Sequence, residues 1–198
     1  QKRVAVVGAG PAGLACATTL AERGHAVTLI DAADEIGGQF NLAKRIPGKE
    51  EFHETLRYFR NRLDDLGVDV QLGSRADVAT LHAAGFDEIV LASGILPRKI
   101  SFPGSDDPRV LSYLDVLARK KTVGKRVAII GAGGIGFDVG EFLVEDVPSP
   151  TTDVARWTRE WGMDQSLDHR GGLVPAQPEP PERELWLMQR SSRRPGAR

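Results

Sequence analysis

Apolar residues along the chain fall into short unbroken runs separated by stretches in which they recur every three or four positions. The runs predict strands at Val4 to Gly8, Ala26 to Asp31, Val68 to Leu72, Glu88 to Ala92, Arg126 to Gly131 and Leu185 to Gln189. The clearest helix is predicted from about Glu51 to Leu66, where Phe52, Leu56, Phe59, Leu63 and Leu66 line one face. Apolar strands alternating with helices are the mark of parallel βαβ units covered on both faces, so the expected class is α/β. Before the last strand, Pro175, Pro178, Pro180 and Pro181 punctuate a connector that follows the Trp157 to Gly162 segment, giving the second unit a long insertion.

Composition narrows the function classes more than the fold. The 198 residues can bury a sizeable core, and 26 Lys+Arg against 27 Asp+Glu leave a net charge of -1. That balance, with 41% hydrophobic residues, argues against a disordered chain and against a nucleic-acid partner. The single cysteine, Cys16, can form neither an internal disulfide nor a redox pair, so a reducing, cytoplasmic compartment is the expectation. No apolar run approaches the roughly 18 residues of a membrane span. The chain enters its first strand at once and stops soon after its last, so both ends are expected to be cuts in a longer protein.

Two glycine-rich turns carry the candidate chemistry. Gly8-Ala9-Gly10-Pro11-Ala12-Gly13 follows the first strand and opens a helix through Leu14, Ala17 and Leu20. In this pattern Gly8 permits a tight turn, Gly10 lets a pyrophosphate approach the backbone, and Gly13 brings helix and strand together, with the helix N-terminus supplying N–H donors. Asp31, at the end of the second strand about 20 residues further on, suits a ribose diol and disfavours a 2′-phosphate, so this unit should take FAD or NAD. Gly131-Ala132-Gly133-Gly134-Ile135-Gly136 repeats the logic ahead of a helix through Val139, Phe142 and Leu143. There the strand from Leu185 to Gln189 replaces the acidic residue by Arg190, with Arg193 and Arg194 behind it. Guanidinium groups suit a 2′-phosphate, so the second ligand should be NADPH. The fold class is thus two Rossmann-like dinucleotide-binding units with parallel sheets, the second incomplete, divided at 1–122 and 123–198 with the insertion at 146–183.

Together with Glu35-Ile36-Gly37-Gly38-Gln39-Phe40-Asn41, Ile46-Pro47-Gly48-Lys49, Asp87 to Gly94, Pro97-Arg98 and Val110 to Leu117, these turns resemble NADPH-dependent 2,4-dienoyl-CoA reductase of the bacterial type over almost the whole chain. The wider group includes trimethylamine dehydrogenase and enoate reductases. The resemblance implies that NADPH reduces FAD, and that electrons then pass through a [4Fe-4S] cluster and FMN, both on N-terminal domains absent here, to an unsaturated acyl-CoA in β-oxidation. It places Pro11, Ala12 and their glycine neighbours at the FAD pyrophosphate, Asp31 at the adenosine ribose, Gly38, Gln39 and Lys49 on the flavin side, and Ala76 at the adenine. Arg190 and Ser191 match the NADPH phosphate region. The Ala92-Ser93-Gly94 turn resembles one that approaches FAD, with Ser93 where Thr is frequent.

In disulfide oxidoreductases of similar fold a cysteine pair lies beside the flavin, whereas Gly37-Gly38 leads here into Gln39-Phe40-Asn41 and Cys16 sits in the first helix as a core residue. Thiol-disulfide exchange is therefore not expected on this chain. His25, His53, His82 and His169 stand at no metal-ligand spacing, and no nucleophile-base pair emerges, as when the cofactor carries the chemistry. Two alternatives remain. One is a related amine dehydrogenase or enoate reductase module; the other is a nucleotide-binding module without electron transfer.

Overall fold

A computed structural model describes residues 1–98, 100–145, 149–192 and 194–195. It divides the chain into two compact units: Gln1–Lys44 with Glu50–Ser105, and Arg45–Lys49 with Asp106–Arg198. Residues 106–122, grouped by sequence with the first unit, thus pack with the second.

The first unit holds a parallel sheet in the order β3-β2-β1-β4, with β1 at Arg3–Val7, β2 at Ala26–Ile30, β3 at Asp69–Gln71 and β4 at Glu88–Leu91. Val4, Ala5 and Val6 are all buried, because a central parallel strand is covered on both faces. On one face Val6, Val27 and Leu29 meet α1 (Pro11–Glu22) and α3 (Phe52–Asp65) through Leu14, Ala17, Leu56 and Leu63. Each such buried leucine contributes about 1.5–3 kcal/mol by leaving water. Between these helices, α2 (Phe40–Ala43) lays Phe40 on Phe52, ring centroids 4.3 Å apart. On the other face Ala5 and Ile30 pack with Leu81 of α4 (Val78–Ala83), whose N-terminus is closed by reciprocal Asp77 and Thr80 hydrogen bonds. The outer strand β4 leaves Leu91 74% exposed, and Ile95 and Leu96 beyond it are exposed too.

In the second unit β5 (Arg126–Ile130) pairs in parallel with β6 (Glu184–Met188), as the alternating sequence led us to expect. One face of this pair packs on α6 (Gly134–Val144), where Gly140 lies near Ile129 and Leu185. On the opposite face Ile130 and Met188 are exposed, and Arg126 covers Trp186 at 5.1 Å. The preceding α5 (Tyr113–Leu117) is capped by Ser112 and Asp115 and buries Val116 and Leu117.

The insertion, whose residues 146–148 lie outside the described residues, carries a 3-10 turn at Pro150–Thr152 and α7 (Val154–Trp161). Gly162 ends α7 at φ +67, and a Cβ there would stand 2.2 Å from the Val174 carbonyl oxygen, so only glycine fits that turn. The return path is anchored to the last carbonyls of α6: the Glu182 amide donates to Val144 at 3.1 Å and the Arg183 guanidinium to Leu143 at 2.9 Å. The two ends of the insertion therefore meet at the C-terminus of one helix.

Candidate functional site

Both glycine-rich turns sit where a strand delivers the chain into a helix, and their geometries repeat. Gly8 adopts φ +113 and Gly131 φ +124, conformations that disfavour any side chain. The Gly8 amide donates to Ile30 and the Gly131 amide to Met188, each at 2.8 Å, so strand pairing closes both turns alike. A Cβ on Gly13 would lie 1.7 Å from the Gly8 carbonyl oxygen, and one on Gly136 1.9 Å from that of Gly131. Helix and strand approach too closely there for any other residue. Gly10 and Gly133 cap α1 and α6 in extended conformation without a side-chain acceptor, and a Cβ on either would meet nothing within 4 Å. Those open positions, beside uncapped N–H groups and the positive end of a helix dipole, suit a pyrophosphate. Gly134 likewise faces open space.

Around the first turn the structure gathers several residues singled out in the sequence. The Asp31 carboxylate accepts from the Ala9 amide at 2.5 Å and the Ala33 amide at 2.8 Å. From the other side the Gly37 amide donates to the Ala9 carbonyl at 2.7 Å, so the buried Ala9 peptide is held at both ends. Gly38, at φ +52, comes so near that its Cβ would be 3.0 Å from the Gly10 Cα. Ala92 closes the group: its amide bonds Val7 at 2.8 Å, and its carbonyl stands where a Gly8 side chain would go. Ser93 and Gly94 follow it at the surface, and Pro11, Ala12 and the exposed Gln39 border the same region. Ala76 is set apart, half-buried against the Ala5, Ile30 and Leu81 cluster.

Two placements differ from the sequence reading. Lys49 belongs by packing to the second unit, where its ammonium is 2.7 Å from the Asp138 carboxylate of α6. The sequence pattern puts Arg190 at the place of the acidic residue, but β6 starts one residue earlier than that pattern predicts, at Glu184 opposite Arg126. Met188 thereby pairs with Ile130 as Ile30 pairs with Val7, and Gln189 stands at the place of Asp31, with Arg190 next and exposed. The Gln189 amide nitrogen donates to the Ser191 carbonyl at 2.9 Å. Arg193 lies outside the described residues, and Arg194 is exposed. Sequence reasoning placed Ala9 in the first turn but did not foresee that Asp31 and Gly37 would clasp its amide and carbonyl; the double glycine was the available signal for Gly37.

A family model described as pyridine nucleotide-disulphide oxidoreductase matches residues 2–149, a span that contains both turns. The chain belongs to the pyridine nucleotide-disulphide oxidoreductase family. Within it the chain is a dinucleotide-binding oxidoreductase region of the flavoprotein kind. It is 42% identical over 135 residues to N,N-dimethylglycine/sarcosine dehydrogenase of Chromohalobacter salexigens, covering 65% of this chain and 20% of that protein. It is 36% identical over 147 residues to cinnamate reductase of Clostridium sporogenes, covering 72% and 21%. A solved 2-naphthoyl-CoA reductase complex is similar at TM-score 0.68 and 35% identity over 72% of this chain and 22% of that one. The chain thus spans about a fifth of the length of these relatives. The disulphide part of the family description has no counterpart in a thiol pair, because Cys16 is the sole cysteine and packs in α1 against the core. Among the described residues, no helix is long and apolar enough to cross a membrane.

Proposed function

We propose that this chain is the FAD- and NADPH-binding region of an oxidoreductase resembling 2,4-dienoyl-CoA reductase, passing reducing equivalents from NADPH to an unsaturated acyl-CoA reduced on further domains. The observation that carries the reading is the pair of glycine turns with matching backbone geometry, each with an open cradle at its middle glycine and different polar chemistry after the second strand. FAD fits the first turn, where Gly8, Gly10, Ala12, Gly13 and Asp31 would hold pyrophosphate and ribose, with Gly38, Gln39 and Ala92-Ser93-Gly94 beside them. NADPH fits the second, where Gly131, Gly133, Gly134 and Gly136 meet the pyrophosphate and Arg190 and Ser191 the 2′-phosphate. The flavin supplies a hydride acceptor between a two-electron donor and later carriers. What this chain's residues contribute is position: the clasped Ala9 peptide keeps the first turn rigid, so binding costs little reordering.

Similarity to the 2-naphthoyl-CoA reductase supports a CoA-thioester substrate. The FMN and iron-sulfur cluster of the proposed electron path would lie on other domains. The 42% identity to a sarcosine dehydrogenase favours a second reading, an amine dehydrogenase module whose second turn holds a nucleotide without reducing flavin. The deciding experiment incubates the protein with FAD, removes free flavin by gel filtration and titrates anaerobically with NADPH. Retained flavin bleached by NADPH is expected. Retained flavin that NADPH leaves yellow would move the assignment to the amine dehydrogenase reading.

A further inference from the structure

The insertion is set apart from the nucleotide chemistry by where it is anchored. Its return path is tied to the last carbonyls of α6, whereas the second glycine turn lies at the N-terminus of that helix, about 16 Å away at a rise of about 1.5 Å per residue. Beyond α7 the insertion is rigidly built and yet apolar on its outside. Met163 and Leu173 face each other in an antiparallel bridge. The Asp164 carboxylate holds the Ser166 amide and hydroxyl and the His169 amide and ring, all within 3.0 Å. That clasp encloses Leu167 at φ +62, a left-handed conformation that disfavours a branched side chain. A leucine stands there nonetheless, 78% exposed, its Cδ2 leaning toward Gly172 beside Leu173. Trp161, Met163 and Leu173 are exposed as well, and Val154 continues the stripe along α7. Large apolar side chains held out on a rigid frame mark a contact surface rather than a solvated connector.

The charges around this surface say what covers it. On α7 the Arg156 guanidinium meets Glu160 and Glu179, each at 2.9 Å, and Arg159 meets Glu179 at 3.3 Å. Asp153 caps the helix, and Glu182 and Arg183 pair near its return to β6. Among the described residues of the insertion only Asp168 and Arg170 have side chains without a hydrogen-bond or ion-pair partner, and both are exposed in the loop that carries Leu167. A partner with a charged rim of one sign calls for the opposite sign here, whereas one free acid and one free base on the same patch complement each other across a two-fold axis. We propose that the 149–183 insertion is a self-association surface, on which a second copy of this chain seats its own Leu167 and Trp161 region, with Asp168 of each copy facing Arg170 of the other. The apolar side chains supply the buried area and the two reciprocal ion pairs fix the orientation.

The test is sedimentation velocity of the full chain over a concentration series, with far-UV circular dichroism to check that each variant is folded. Wild type is expected to form a reversible dimer. Asp168→Arg and Arg170→Asp each set like charges against one another across the axis and should weaken that dimer about tenfold or more. An equimolar mixture of the two variants should restore it, because one chain then offers two bases and the other two acids. Leu167→Gly removes the apolar anchor at a backbone conformation that glycine prefers, so the chain should stay folded while dimerisation weakens. Wild type that stays monomeric throughout the series overturns the proposal. A dimer that none of these variants weakens overturns it too, since association then uses another apolar face, such as the outer side of β5 and β6 where Ile130 and Met188 are exposed. Single variants that weaken the dimer but are not rescued by mixing overturn the reciprocal pairing of Asp168 with Arg170.

Discussion

Gly10 and Gly13 lie three residues apart in one turn and answer to opposite constraints. A methyl group on Gly13 collides with backbone, 1.7 Å from the Gly8 carbonyl oxygen, and no rotamer can relieve that contact. We expect Gly13→Ala to lower stability by about 3 kcal/mol in urea denaturation, because strand and helix must separate. Gly10 has φ -74 and open space around it, so Gly10→Ala should fall within about 0.5 kcal/mol of wild type. The same methyl would fill the pyrophosphate cradle, so Gly10→Ala should lose FAD in the gel-filtration assay while staying folded. Equal stability of the two variants would refute the packing argument; full flavin retention by Gly10→Ala would refute the cradle. The glycine spacing was legible in sequence because each glycine answers to a local backbone need. Which residue opposes the turn from the next strand was not, since one residue of register decides between Gln189 and Arg190.

At the scale of elements, hydrophobic periodicity identified every strand to within a residue or two, and α3 to within one at each end. The short helices α4 and α5 escaped it, being too brief to show a repeat; their capping pairs, Asp77 with Thr80 and Ser112 with Asp115, were the readable signal. The insertion's interior was not legible because side-chain hydrogen bonds organise it. There the Asp164 carboxylate accepts from the Ser166 hydroxyl at 2.6 Å and amide at 2.9 Å, and from the His169 amide at 3.0 Å, with the His169 ring at 2.8 Å. The Ser166 hydroxyl foremost, then the His169 side chain and amide, hold its pKa well below the usual carboxylate range. A depressed folded pKa means that this contribution is fully present above the unfolded value, about 3.9, and is lost as pH falls from there through the folded one. Hydrogen exchange at the Ser166 and His169 amides should therefore lose protection as pH is lowered below about 4, after correction for intrinsic rates. In Asp164→Asn that protection should be weak at every pH, and a variant as protected as wild type would discount the carboxylate's role.

For the whole molecule, the segment Arg45–Lys49 sits in the sequence of the first unit but packs with the second. Ile46 is 3% exposed, the Arg45 guanidinium donates to the Leu117 carbonyl at 2.9 Å, and Lys49 pairs with Asp138. The half-exposed Lys49 pair is worth at most about 1 kcal/mol, so Ile46 carries the anchoring. Ile46→Ala should cost about 2–5 kcal/mol, read by hydrogen exchange as lost protection in β5 and α6 with β1 and β2 unchanged. Loss spread evenly over both units would contradict the division of the chain. By itself the sequence determined the two strand-turn-helix motifs, the parallel α/β class and the acidic residue after β2, because these follow from glycine's conformational freedom and from apolar periodicity along neighbouring residues. Only the tertiary structure decided that Asp31 clasps the Ala9 amide, that Gln189 takes the matching place in the second turn, and that residues 45–49 leave one unit for the other. Those outcomes depend on strand register and on burial between segments far apart in the chain, which local residue patterns do not encode.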